Sequence, residues 1–510
     1  MLVGGAVVVA GVGAFFLWQR LSGSVTIEGL DNGTALGRAA IQASDVRVRV
    51  SGGGAPRATL NGASFGEASR DGSAYVWRLP NLADGSYRLD VTADRTLFGT
   101  VSSSRSFTVD STAPVVQLPV VTATAPIDQP VTIDGTVDDA TTVVADGASV
   151  DWTGTTFHLH FPFPPAAPVV VTASDHAGNA TTASVIVPVA RPVSNGVHVT
   201  ALAWADPGLH AGVQSLIDNH QINAVELDLK DESGIVGYDS TVPLAKEIGA
   251  VQASYSLSAA VAELHAKGIR VIGRVVAFRD PVLAKAAWER GNKDWVVQDG
   301  AGQPLGAYGG FSNFAHPDVQ AYNLGIADEA ARAGVDEILW DYVRRPEGAL
   351  PTMVFPGLQG SVADAIAGFL GKGQAMLRPL KVLQGASVFG VAATRPDQIG
   401  QDVTTIARHT DYVAPMLYPS HWNRGEYGVA DPNRQPYDIV KASLADFVAE
   451  VAPTGRTLAP WLQDFDDGVP YGDAEVQAQI AAAKDLGVDS WLLWNPRTQY
   501  TASALAPLAA

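Results

Sequence analysis

From residue 196 to residue 510 short apolar runs alternate with Ala-rich stretches of helical period, and no other feature constrains the fold as tightly. The runs fall at 196–203, 223–230, 270–278, 337–343, 388–393, 412–418, 458–463 and 491–494. Helical stretches lie between them, among them 257–267, 319–333 and 474–486. Eight strand-length runs separated by helices over about 300 residues predict a (β/α)8 TIM barrel, somewhat larger than the usual size of ~250. Barrels of this kind carry their chemistry at the C-terminal ends of the strands. Side-chain parity along each run therefore sorts the candidates, because alternate residues face the helices or the interior.

On the second run Val225, Leu227 and Leu229 suit the helix side, which turns Glu226, Asp228 and Lys230 inward. On the third, Arg274 shares a face with Ile272 and Val276. On the fourth, Asp341 shares one with Leu339 and Val343. Adjacent parallel strands then bring Asp228, Arg274 and Asp341 together, and one arginine can serve two buried carboxylates. Further round, the strand ends carry Tyr418 and His421, then Trp461, Gln463 and Asp464, then Trp494 and Asn495. Carboxyls, amides and aromatic walls together suit a polysaccharide or oligosaccharide better than a phosphorylated or purely apolar ligand.

Residues 2–18 carry no charge and, as a helix, span about 26 Å, close to the ~30 Å hydrocarbon core of a bilayer. Four glycines and a run of valines make this a poor water-soluble helix. The expectation is a transmembrane anchor over 1–21, with the remaining domains outside the cell membrane; cleavage of the segment would make the chain a secreted one. Short period-two strands separated by Gly/Asp/Asn turns then predict two β-sandwiches, over 24–110 and 113–190. Residues 190–195 read as a linker. With 34 Lys+Arg against 52 Asp+Glu the net charge is −18, which disfavours nucleic acid as a partner. The absence of cysteine excludes disulfides, thiolate catalysis and Cys-ligated metal. His409 and His421 lack the spacing of a helical metal-binding pair, and no phosphate-cradling loop is present, so no metal and no cofactor is expected.

Several segments carry a family resemblance. Asp175-His176-Ala177-Gly178-Asn179, at a hairpin, resembles bacterial immunoglobulin-like modules of exported proteins. In the C-terminal region the segments are Glu226-Leu227-Asp228-Leu229-Lys230-Asp231-Glu232-Ser233-Gly234, Arg274-Val275-Val276-Ala277-Phe278-Arg279-Asp280-Pro281 and Asp336-Glu337-Ile338-Leu339-Trp340-Asp341-Tyr342-Val343-Arg344-Arg345-Pro346. They continue in order through Pro415-Met416-Leu417-Tyr418-Pro419-Ser420-His421, Pro460-Trp461-Leu462-Gln463-Asp464-Phe465 and Trp491-Leu492-Leu493-Trp494-Asn495. This region, 196–507, resembles the bacterial putative glycosyl hydrolase domain family, a TIM-barrel group. The resemblance implies a glycosidase, with Arg344 joining the candidate substrate contacts Arg274, Tyr418, His421, Gln463, Trp461, Trp494, Asn495, Glu226 and Lys230.

Glycoside hydrolysis needs a carboxylic acid at the leaving oxygen and a carboxylate opposite it. Asp341 is the first choice, and its arginine neighbour suits a nucleophile or base more than an acid. By analogy with retaining barrels the partner is Asp464 on the seventh strand; Asp228 competes for that role. The chitinase pattern D-x-x-D-x-D-x-E is broken here by Leu339 and Val343. A glycan-binding or envelope scaffold protein without turnover is the alternative of another class.

Overall fold

The computed structural model describes residues 23–96 and 99–508. The expected anchor over 1–21 lies outside them, and among the described residues no helix is long and apolar enough to cross a membrane. The chain forms two compact units. One holds the all-β region, including 132–160 and 169–185; the other holds 186 onward together with 121–131 and 161–168.

In the first unit, Ser24–Glu28, Asp45–Ser51, Ala74–Arg78 and Ser69–Asp71 form one sheet, and five strands centred on Gly85–Asp94 and Thr100–Val109 form a second. Their alternating burial supplies a core of Ile27, Val48, Trp77, Val91 and Phe107. Two further sheets follow, built on Val131–Val137 with Thr156–Phe161 and on Val169–Ser174 with Ala180–Val185. Asn179 ties the hairpin of the second region to the end of the first, donating to the Asp110 carbonyl at 2.9 Å and to Asp175 Oδ2 at 2.8 Å. His158 and His160 are engaged separately by Asp134 and Asp151, so they do not converge on a common ligand point.

In the second unit eight parallel strands close on themselves. They are β1 (Asn195–Val199), β2 (Ala224–Lys230), β3 (Arg270–Val276), β4 (Glu337–Asp341), β5 (Leu383–Phe389), β6 (Tyr412–Met416), β7 (Trp461–Gln463) and β8 (Trp491–Trp494). β1 pairs with both β2 and β8, which makes the sheet a barrel. Val225, Leu227, Leu229 and Val275 enter the layer between strands and helices. Ile272, Leu339, Tyr412, Ala414, Trp461 and Leu492 fill the interior.

Several boundaries differ from the sequence expectation. The first strand stops at Val199 because Thr200 caps a helix at Ala201–Ala205, accepting from the Ala203 N–H. The fifth lies at Leu383–Phe389, earlier than 388–393. Its Gly385 lets the Tyr412 ring lie against the backbone, where a Cβ would meet ring carbons at 2.2 Å. That cross-strand fit does not show in apolar periodicity. The expected linker is part of the barrel: the Arg191 side chain, 1% exposed, pairs with Glu337 at 2.9 Å and lies 3.8 Å over the Tyr412 ring. It plugs the end opposite the strand C-termini.

Candidate functional site

Arg274, near the C-terminal end of β3, is 2% exposed and organises the site. Its Nη1 donates to Asp228 Oδ1 at 2.7 Å, while Nε and Nη2 donate to Asp341 Oδ2 at 2.9 and 2.7 Å. Strand register explains the meeting, since Asp228 on β2 lies beside Arg274 and Asp341 on β4 lies beside Val276. Because both oxygens bind one planar guanidinium they lie within roughly 8 Å of one another. Asp341 Oδ1 accepts the Tyr342 N–H at 2.7 Å. Tyr342 has φ of 49°, a left-handed conformation unfavourable for a bulky residue. Glu232, half-buried on the loop after β2, adds longer contacts to Arg274 at 3.3 and 3.4 Å.

Behind this group stands His198 of β1. Its Nδ1 is 2.5 Å from Glu226 Oε2, its Nε2 is 3.7 Å from Asp228 Oδ2, and its ring stacks on Trp494 at 3.9 Å. The Arg274 guanidinium lies 4.9 Å from the Trp494 ring. Burial sets the protonation pattern. It pushes the Asp228 carboxyl up to about 7, more than Arg274 and His198 pull it down. Burial raises Glu226 well above its ordinary range and lowers His198 to about 4. For Glu232 burial pushes up, but Arg274, a backbone N–H and His198 together outweigh it, and that carboxyl falls below its usual value.

His198, Glu226 and Asp228 are metal-ligand types whose nearest atoms lie within 4.8 Å of one another. The local cation is already Arg274, hydrogen-bonded to Asp228 and 3.9 Å from Glu226 Oε1. A divalent ion would compete with a buried guanidinium for the same oxygens, so this donor set does not suit a resident metal.

The remaining expected site residues divide into three groups. Tyr418 is buried in the interior with His421 5.1 Å away, ring edge to ring face, and burial, with Asp341 adding to it, raises its phenol well above the ordinary value. Trp461 is 1% exposed and donates to Ser387 Oγ at 3.0 Å, which makes it a packing residue rather than an open sugar platform. Gln463, Asp464 and Asn495 brace loops. Gln463 faces inward, accepting from the Ser420 N–H and donating to the Phe465 carbonyl. Asp464 spends both oxygens on Thr501, accepting from its N–H at 2.8 Å and its hydroxyl at 2.7 Å, while Asn495 donates to the Asp464 carbonyl.

Lys230 is the clear departure. A register shift between Asp228 and Lys230 breaks the alternation of β2. The ammonium leaves the barrel interior and donates to Asp280 Oδ2 and Asn323 Oδ1, both at 2.7 Å. Asp280 also caps the helix Pro281–Glu289 through the Leu283 N–H, so Lys230 locks strand to helix. Val343 likewise joins the helix layer, because the chain turns at Tyr342.

Comparison with known proteins bears on this arrangement. The pattern of the family described as "Putative glycosyl hydrolase domain" matches residues 196–500, more than half of the chain. The chain belongs to this glycosyl hydrolase family. Its barrel, its strand-end carboxyls and the ordered segments that carried the resemblance all fall within the matched region. No curated protein matches the chain. Among solved structures it is similar to a hypothetical protein from Ruminiclostridium thermocellum, at 29% identity over 37% of this chain and 96% of that one, with a TM-score of 0.34. It is also similar to the PgaB (BpsB) glycoside hydrolase domain from Bordetella bronchiseptica, at 18% identity over 60% and 95%, TM-score 0.43. A third is an endo-1,4-beta-D-mannanase from Thermotoga petrophila, at 12% identity over 59% and 88%, TM-score 0.39.

Sequence reasoning missed His198, Glu232, Arg279 and Tyr308 of this family member's strand-end face. For His198 the signal was present: a polar residue between Val197 and Val199 has the inward parity assigned to Glu226 beside it. Glu232, Arg279 and Tyr308 sit on loops, where no period applies.

Proposed function

We propose that the protein hydrolyses O-glycosidic bonds of a cell-envelope or extracellular polysaccharide, with Asp228 and Asp341 as its carboxyl pair. One observation carries this reading: a single buried guanidinium holds the two carboxyls at a separation compatible with the ~5–9.5 Å span of two-carboxylate hydrolysis. Their surroundings differ in the direction that splits the roles. Asp228, raised to about 7, keeps a proton to give to the leaving oxygen. Asp341 accepts three N–H donors and, in this reading, faces the anomeric carbon or a water. Glu226 and His198 stand behind Asp228 as a route for its reprotonation. Asp464, which the positional analogy favoured, is committed to Thr501 and acts in this reading as a brace.

The reading extends to location. A large glycan lies outside the cytoplasmic membrane, and the apolar run over 2–18, within an anchor of 1–21, would tether the enzyme there. Fractionation of cells expressing the full chain and a chain starting at residue 22 tests this; recovery of both in the soluble cytoplasmic fraction refutes it.

The test of the activity is a polysaccharide panel with the stereochemistry of the products followed by NMR. Asp341→Asn and Asp228→Asn are expected to lower kcat by ~10²–10⁴-fold while glycan binding survives. Binding by the wild type with turnover of no polysaccharide would favour the scaffold reading instead.

A further inference from the structure

We propose that the strand-end face is built for an anionic glycan, with the C6 carboxylate of a uronic acid held between Arg279 and Arg344. This rests on the glycosidase reading and adds its substrate class. The two arginines follow adjacent strands: Arg279 lies on the loop after β3 and Arg344 on the loop after β4, three residues past Asp341. The fold brings their guanidiniums to the same pair of aromatic rings. They lie 5.1 and 4.7 Å from the centroid of Tyr342, and 4.8 and 6.0 Å from that of Tyr308. Arg279 Nη1 also donates to the Tyr342 hydroxyl at 2.7 Å.

Little negative charge answers this pair. Among the described residues Arg279 makes no ion pair, and its Nε is buried without a hydrogen-bond partner. Arg344 is 5% exposed, and its ion pair is with Glu347 at 3.1 Å. Burial pulls the Arg344 pKa down; Tyr342 and Asp341 pull it back up, and the like charge of Arg279 adds to the fall. Asp341 is near, but its oxygens already serve Arg274 and the Tyr342 N–H. Glu347 is shared with the Tyr308 hydroxyl, and burial raises its carboxyl. In a chain of net charge −18 this is a local excess of cation, beside the proposed reacting carboxyls.

A substrate carboxylate would supply the missing charge, since guanidinium forks match a planar carboxylate in two parallel hydrogen bonds. Tyr308, 43% exposed, offers a ring face beside those forks for the C–H face of a sugar. Tyr308 and Tyr342 both hold positive φ, 54° and 49°, so the backbone bears strain to place the two rings. Glu347 stands where the incoming carboxylate would compete for Arg344.

The experiment titrates the full chain carrying Asp341→Asn, so that ligand is not consumed, at physiological ionic strength. The probes are oligogalacturonate and oligoglucuronate, each with its carboxyl-reduced counterpart, plus chito- and manno-oligosaccharides and poly(glycerol phosphate). One uronate is expected to bind about tenfold or more tighter than its carboxyl-reduced form. Arg279→Gln and Arg344→Gln are each expected to weaken that binding about tenfold, and Glu347→Gln to strengthen it. If Arg344→Gln fails to fold, Arg279→Gln decides alone, because that side chain is only half-buried and breaks no ion pair. Preferential binding of neutral or amino-sugar oligomers, unchanged by Arg279→Gln, overturns the uronate assignment and leaves the glycosidase reading intact. Preference for poly(glycerol phosphate) overturns the carboxylate in favour of phosphate. Binding of no glycan at all overturns both readings.

Discussion

Asp228→Asn removes one titrating proton from the barrel interior without changing side-chain shape, and its consequences can be worked out in advance. The carboxyl moves from an ordinary 3.8 to about 7 on folding. At 1.36 kcal/mol per unit, a shift of about three units corresponds to about 4 kcal/mol. The sign follows from proton counting. Between pH ~4 and ~7 the folded chain keeps a proton that the unfolded chain has released, so stability falls as pH rises through that window. Above it the whole penalty is present; below it none is. Asn carries no charge at any pH, so the variant escapes this fall. Urea unfolding of wild type and variant at a series of pH values should give curves that diverge in the variant's favour by up to about 4 kcal/mol between pH ~4 and ~8. In the proposed mechanism the same proton is the one donated, so wild-type kcat/KM should fall as pH rises past about 7, where Asp228 loses it. Parallel stability curves, together with activity undiminished up to pH ~9, would refute the assignment of Asp228 as the acid.

Other perturbations separate chemistry from scaffold. Arg274→Met leaves Asp228, Asp341 and Glu232 without their shared cation, and thermal unfolding should show a loss of ~3–5 kcal/mol. Thr501→Val deprives Asp464 of a hydroxyl donor. It should cost ~1–3 kcal/mol of stability with kcat changed only a few-fold; a hundredfold loss of kcat in a stable variant would return Asp464 to the chemistry. Gly385→Ala drives a methyl to 2.2 Å from the Tyr412 ring and should destabilise the barrel by ~1–3 kcal/mol in chemical denaturation, without any change in glycan specificity.

The barrel was legible because strand–helix alternation is a local property of the chain. The inward parity of Glu226, Asp228 and Arg274 followed from it, and so did their meeting with Asp341. The same logic failed at Lys230, where a register shift reverses the face, and at Val343, where Tyr342 takes a left-handed turn. It also passed over Arg191, whose surroundings of Pro and Ser read as linker although its side chain is sealed under the barrel. Period two holds only while the strand is regular.

By itself, then, the sequence determined the strand count, the layer of the regular residues on the second to fourth strands, and the charge types available to the interior. These depend on hydrophobic periodicity, which each segment carries independently. Tertiary structure alone decided which carboxyl shares the Arg274 guanidinium with Asp341. Closure of β1 onto β2 and β8 buried Asp228, and burial raised its pKa against the pull of Arg274 and His198, while the C-terminal segment engaged Asp464 through Thr501. It alone also brought Arg279 and Arg344 to one pair of tyrosine rings from two separate loops. Burial and loop closure are properties of the assembled barrel, and no local pattern records them.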